Sequence, residues 1–128
     1  MIEAVGDLAQ REQLVRHYLQ EGEALDGIFE LEEQRTAAVT SIRFMIVTPA
    51  KPNGWGIVSI PWRIVNQIET GVSESGGPAV SLAFTEHQSS GRGKAAEIVS
   101  ERLEIYACTS DADAKRLVKL ASARQPAT

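Results

Sequence analysis

Cys108, His17 and His87 are the side chains whose types could support covalent or metal chemistry in this chain. A cysteine nucleophile needs a base within reach and a lowered thiol pKa. Cys108 ends a predicted strand just before a predicted helix N-terminus, a position that can lower a thiol pKa. Its base would have to be His17 or His87. The competing reading, a small apolar residue packed under the helix, is the expectation. Zinc would need two ligands pre-set by a short Cys-x-x-Cys or His-x-x-x-His spacing, and neither occurs. The acids have no calcium-loop spacing. Gly91-Arg92-Gly93-Lys94 faintly echoes a phosphate loop, but no Gly-Lys-Ser/Thr ending follows and no helix opens there. It reads as a hairpin tip. No catalytic residue, metal or cofactor is expected.

Aromatic and basic residues offer a different chemistry, partner binding. Trp55, beside Gly54 and Gly56, could join Lys51 and Arg63 in an aromatic-basic patch, though a half-buried loop anchor is the expectation. Trp62 follows Pro61 at a chain corner, where a core role is expected and a binding role is the alternative. Arg92 and Lys94 add two cations to the Gly/Ser-rich stretch. The candidate binding residues are therefore Trp55, Trp62, Arg63, Lys51, Arg92 and Lys94.

The totals restrict the classes of function. With 128 residues the chain is expected to form one domain. Apolar residues make up 43% and charged residues 23%, ordinary for a globular protein. The formal charge is −4 and the pI about 5.2, so no global basic surface exists for nucleic acid or anionic lipid. No apolar run approaches the roughly 20 residues of a membrane helix. The N-terminal residues lack the basic start and apolar block of a secretion signal. A single cysteine excludes an intrachain disulfide and fits a reducing, cytoplasmic setting. Glu21, Glu23, Asp26, Glu30, Glu32 and Glu33 fall in one stretch with no base among them. They read as a solvated strand face or as a docking surface for a basic partner.

The elements that must position these residues follow from periodicity. Asp7 and Gln10 resemble a capping box, and Leu8, Val15 and Leu19 recur at helical spacing. A helix is predicted over about residues 8–20, docked by one narrow edge and stopped by Gly22. From Glu23 the period becomes two. Strands are predicted near 25–31, 36–40, 43–48, 55–60, 64–70, 80–85 and 99–108. Phe44, Ile46 and Thr48 point one way, and Arg43, Met45 and Val47 the other. Ile64, Asn66 and Ile68 alternate against Val65, Gln67 and Glu69. The last strand alternates through Glu101, Leu103, Ile105 and Ala107, and the apolar residues of the strands are expected inside. Ser110, Asp111 and Asp113 open a final helix whose apolar stripe is Ala114, Leu117, Val118 and Ala121.

About seven antiparallel strands and no crossover helices exclude a parallel α/β sheet. The expected fold is mainly β: a bent antiparallel sheet or partly open barrel, one mouth capped by the C-terminal helix, with an extra N-terminal helix. Residues 1–21 form the helical extension, 22–124 the domain and 125–128 a tail.

Val39-Thr40-Ser41-Ile42-Arg43-Phe44-Met45-Ile46 and Ile60-Pro61-Trp62-Arg63-Ile64, with Ile68-Glu69 after them, resemble the hairpin and Pro-aromatic corner of bacterial pleckstrin-homology-like domains. The resemblance covers about residues 22–124. It implies a binding or assembly scaffold, not an enzyme. Eukaryotic relatives of that fold bind phosphoinositides through cations around the first hairpin loop. Here that loop follows Glu30, Glu32 and Glu33 and offers only Arg35, which argues against a lipid headgroup. The expected function is a non-catalytic interaction module with a protein partner or with its own copies, and with neither nucleic acid nor membrane. The alternatives are a ligand-binding or lipid-headgroup-binding barrel, or a small enzyme, using the mouth near Trp62 and Arg63.

Overall fold

The computed structural model describes residues 8–49, 54–89 and 97–124. The Asp7 cap and the 125–128 tail lie outside these. The elements run α1 (Leu8–His17), β1 (Leu25–Glu30), β2 (Thr36–Thr40), β3 (Arg43–Pro49), β4 (Trp55–Pro61), β5 (Val65–Val72), β6 (Pro78–Ser89), β7 (Glu97–Ala107) and α2 (Asp111–Arg124). The protein is mainly β. Two antiparallel sheets, ordered β1-β2-β3-β4 and β5-β6-β7, face each other and do not close into a barrel.

The first sheet is apolar on both faces, because its central strands carry no polar alternation. Phe44 and Ile46 of β3 join the main core, and Met45 and Val47 join a second cluster on the opposite face. That second cluster is completed by Val15 of α1, with Leu14, Leu19, Leu25, Ile28, Trp55 and Ile57 packed around it. The α1 helix ends at His17, shorter than its periodicity suggests, and Gly22 takes a left-handed φ of 83° before β1. The β2–β3 turn is fixed by a side chain. The Thr40 hydroxyl oxygen accepts from the Ile42 and Arg43 amides at 3.2 and 3.0 Å.

Two departures from simple alternation, and the register of β7, set the inner face. A register shift between Leu25 and Gly27 turns Phe29 and Leu31 into the main core while Leu25 and Ile28 face α1. A second shift between Val65 and Gln67 brings Val65 to the same side as Ile68, where strict alternation had separated them. In β7 the inward residues are Tyr106 and, just beyond the strand, Cys108. Leu103 and Ile105, expected inside, are exposed. The reason is register: Tyr106 lies opposite Val80 and Glu104 opposite Leu82, so the core-facing set of β6 selects the other half of β7.

The chain turns from one sheet to the other at Pro61. A short 3₁₀ turn, Trp62–Ile64, follows it. Trp62 is buried, with its indole N–H donating to the Thr40 carbonyl at 2.8 Å. The α2 helix then covers one end of the core. Ser110 caps it, accepting from the Asp113 amide at 3.1 Å, and Ala114, Leu117 and Ala121 are buried. A fully buried side chain such as Leu117 contributes roughly 1.5–3 kcal/mol. Gly27 lets the helix approach: a Cβ there would lie 2.7 Å from Leu120 Cδ1 and 3.1 Å from the Phe29 ring.

Candidate functional site

With α2 closing one end, the space between the sheets opens to solvent elsewhere. A groove of ≈ 620 Å³ runs between the inner faces of β3–β4 and β6–β7. Its floor is Ile46, Val58, Ile60, Ile64, Phe84 and Tyr106. Val58 is 51% exposed although it sits on the inner face opposite Ile46. The apolar floor is therefore open to water at Val58. It borders β4, the last strand of its sheet, whose outward backbone edge meets no other strand among the described residues.

Polar groups ring the groove but are largely paired with one another. Arg102 reaches Glu86 at 3.4 Å and Glu104 at 3.3 Å. Arg35 lies 5.9 Å over the Tyr106 ring and 3.8 Å from Glu33. Burial pushes the Tyr106 phenol up to about 12, with the Glu104 charge adding to the rise against the opposing pull of Arg35 and Arg102. Arg35 also borders a second hollow of ≈ 430 Å³, beside Glu32, Glu33, Glu74, Val72 and Ile105.

The loop carrying Arg35 is held from the far side of the first sheet. Arg11 of α1 is 4% exposed. Its Nη1 donates to the Thr36 hydroxyl at 3.1 Å and to the Gln34 and Arg35 carbonyls at 3.4 Å. Its Nη2 donates to Glu30 at 3.1 Å. Two successive residues of that loop, Glu33 and Gln34, hold left-handed φ values of 61° and 62°. Such a backbone persists only where its surroundings enforce it. Sequence reading missed Arg11. The available signal was its i, i+4 spacing to Val15, which puts it on the docked edge of the helix.

The sequence-derived candidates scatter across this architecture. Trp62 lies in the core, its donor already used. Trp55 stands at the other end of β4, about 20 Å away by strand rise, half-buried against the α1-side cluster. Arg63 is exposed in the turn after β4. Lys51, Arg92 and Lys94 lie outside the described residues. Trp55 is thus far from Trp62 and Arg63, which share one turn with the first side chain buried and the second exposed.

The chemistry-bearing side chains are equally separate. Cys108 is buried, and burial, with the nearby Asp113 and Glu32 charges, pushes its thiol up to about 11. A thiol shifted that way is a poor nucleophile at neutral pH. His17 is exposed, edge-on to Tyr18 at 5.2 Å, and His87 pairs with Val99 in the β6–β7 ladder. Among the described residues no three His, Cys, Asp or Glu side chains converge on a metal site. No helix of the described chain is long and apolar enough to cross a membrane. No family model, curated protein or solved structure matches this chain.

Proposed function

We propose that this protein is a non-catalytic interaction module that receives an extended apolar segment of a protein partner in the groove between its sheets. One observation carries the reading: an apolar floor, with Val58 half in water, lies beside the edge of β4 that no other strand among the described residues meets. An extended peptide can add to such an edge through main-chain bonds while alternate side chains enter the groove. The resemblance to pleckstrin-homology-like domains points the same way, toward a scaffold rather than an enzyme. The cations at the groove, Arg35 and Arg102, are already matched with carboxylates, which disfavours a phosphate headgroup. A cytoplasmic location fits the lone cysteine.

The test is selection of peptides from a random displayed library against the full chain, followed by NMR titration of a synthetic hit. Shifts clustered at Val58, Ile60, Phe84 and Tyr106, lost in a folded Val58→Glu variant, are the expected result. Hits that bind Val58→Glu unchanged, or shifts on another face, would sink the proposal.

A further inference from the structure

The outer face of β7 is unusual for a strand left in water. Leu103 and Ile105 are 62% and 52% exposed and stand two residues apart on one face. β7 ends its sheet. Its ladder with β6 runs from Ala79↔Ala107 to Ser89↔Glu97 without a register shift. Past the strand, Cys108 is bridged to Leu31, but no strand among the described residues pairs with the outward edge of β7 itself. Neither a bulge nor a proline blunts this edge; from Ser100 to Ala107 its charged residues are Glu101, Arg102 and Glu104, of both signs.

We propose that β7 pairs antiparallel with β7 of a second copy, about a two-fold axis at Leu103, joining the two three-stranded sheets into one of six strands. The sequence Glu101-Arg102-Leu103-Glu104-Ile105 sets the register. With the axis at 103, Arg102 faces the partner's Glu104 and Glu104 faces the partner's Arg102. Opposite charges thus meet twice on one face, in exchange for the Arg102–Glu86 and Arg102–Glu104 pairs within each chain. On the other face Leu103 meets the partner's Leu103, and Ile105 is its diagonal neighbour. Neighbouring registers are worse. An axis at Arg102 or at Glu104 sets that residue against its own copy, like charge on like. An axis at Ile105 sets Arg102 against the partner's Cys108 and Glu104 against the partner's Tyr106, so neither charge meets its opposite. The occupant is a second copy because the edge is complementary to itself.

The experiment is sedimentation equilibrium on the full chain over a concentration series. It should give a species of twice the 13.9 kDa chain mass. Arg102→Glu or Glu104→Arg alone turns both cross-strand pairs repulsive, and each should weaken the dimer by about tenfold or more. The double variant carrying both changes restores opposite charges and should regain dimerisation. Leu103→Cys gives an independent readout: the residue lies directly opposite its own copy, within a small strand adjustment of the roughly 3.5–4.5 Å Cβ separation of a disulfide, so mild oxidation should yield a disulfide dimer. Glu101→Cys, which faces position 105 of the other copy, should cross-link far less. A monomer at all concentrations, a dimer indifferent to the single reversals, no rescue in the double variant, or cross-linking at 101 in preference to 103 would each overturn the proposal. The readout is self-association, so it stands or falls independently of peptide capture in the groove.

Discussion

Arg43 grips Glu23 with two parallel bonds, Nε to Oε2 at 2.9 Å and Nη2 to Oε1 at 3.0 Å. The Glu23 side chain is almost fully enclosed. The Thr40 hydroxyl donates to it at 2.6 Å and the Gln20 amide at 2.8 Å. Arg43 Nη2 also donates to the Tyr18 carbonyl at 2.8 Å. One ion pair therefore fastens the end of α1, the entry to β1 and the start of β3. Burial acts to raise the Glu23 carboxyl, but the bonds from Arg43, Thr40 and Gln20 outweigh it and hold the group below its ordinary 4.5.

Removing one partner of that pair leaves the other charge enclosed. Arg43→Met is expected to lower the unfolding free energy by about 3–5 kcal/mol, measured by denaturant titration. A loss under about 1 kcal/mol would show that the pair is incidental. The pH dependence follows from the lowered carboxyl. Its contribution is present above pH 4.5 and is lost as the pH falls through the folded-state value. Glu23→Gln should lose less stability than the parent as the solution is acidified through that range.

Cys108 and Tyr106 act in the opposite direction. Their ordinary values are 9.0 and 10.0, and in the folded protein they are pushed up to about 11 and about 12. Stability from keeping them neutral is complete below pH 9 and is lost as the pH climbs through 11 and then 12. Thermal melts from pH 8 upward should fall less steeply in Tyr106→Phe than in the parent. At neutral pH, Cys108 should resist an aromatic disulfide reagent until the chain is unfolded. Rapid labelling of the native protein would contradict the buried thiol.

Trp62→Phe tests the corner between the sheets. It leaves the Thr40 carbonyl without its indole donor, at about 1–3 kcal/mol, and adds a penalty for the vacated volume. Calorimetry should show a lowered Tm. Affinity for any groove-bound peptide should change little, because Trp62 does not line the groove.

The fold was largely legible and the site was not. Phe44/Ile46 against Met45/Val47 is a clean period of two, and Ser110-Asp111 marks a helix start in local chemistry alone. Both survive folding because they depend on neighbours in sequence. The inner face of β7 does not. Leu103 and Ile105 look like core residues until the pairing with β6 puts Tyr106 and Glu104 on that side. The shift at Val65/Gln67 is likewise invisible to periodicity, since a bulge is set by the partner strand. The groove depends on Val58 and Phe84 meeting across two sheets, a juxtaposition 26 residues apart in sequence. Arg11 escapes a reading of its own helix because its partners Thr36 and Glu30 come from the strands beyond it. Trp62 lies in the core, as its place after Pro61 leads one to expect, while Trp55 packs half-buried on the α1 side.

The helix at the start of the chain covers Ala38, Met45 and Val47 from outside. A version trimmed to begin at the first strand would present that oily panel to water and lose the arginine latch on the strained bend beside it. Such a fragment would clump or need detergent, so anyone shortening this protein should treat α1 as insulation and leave it in place.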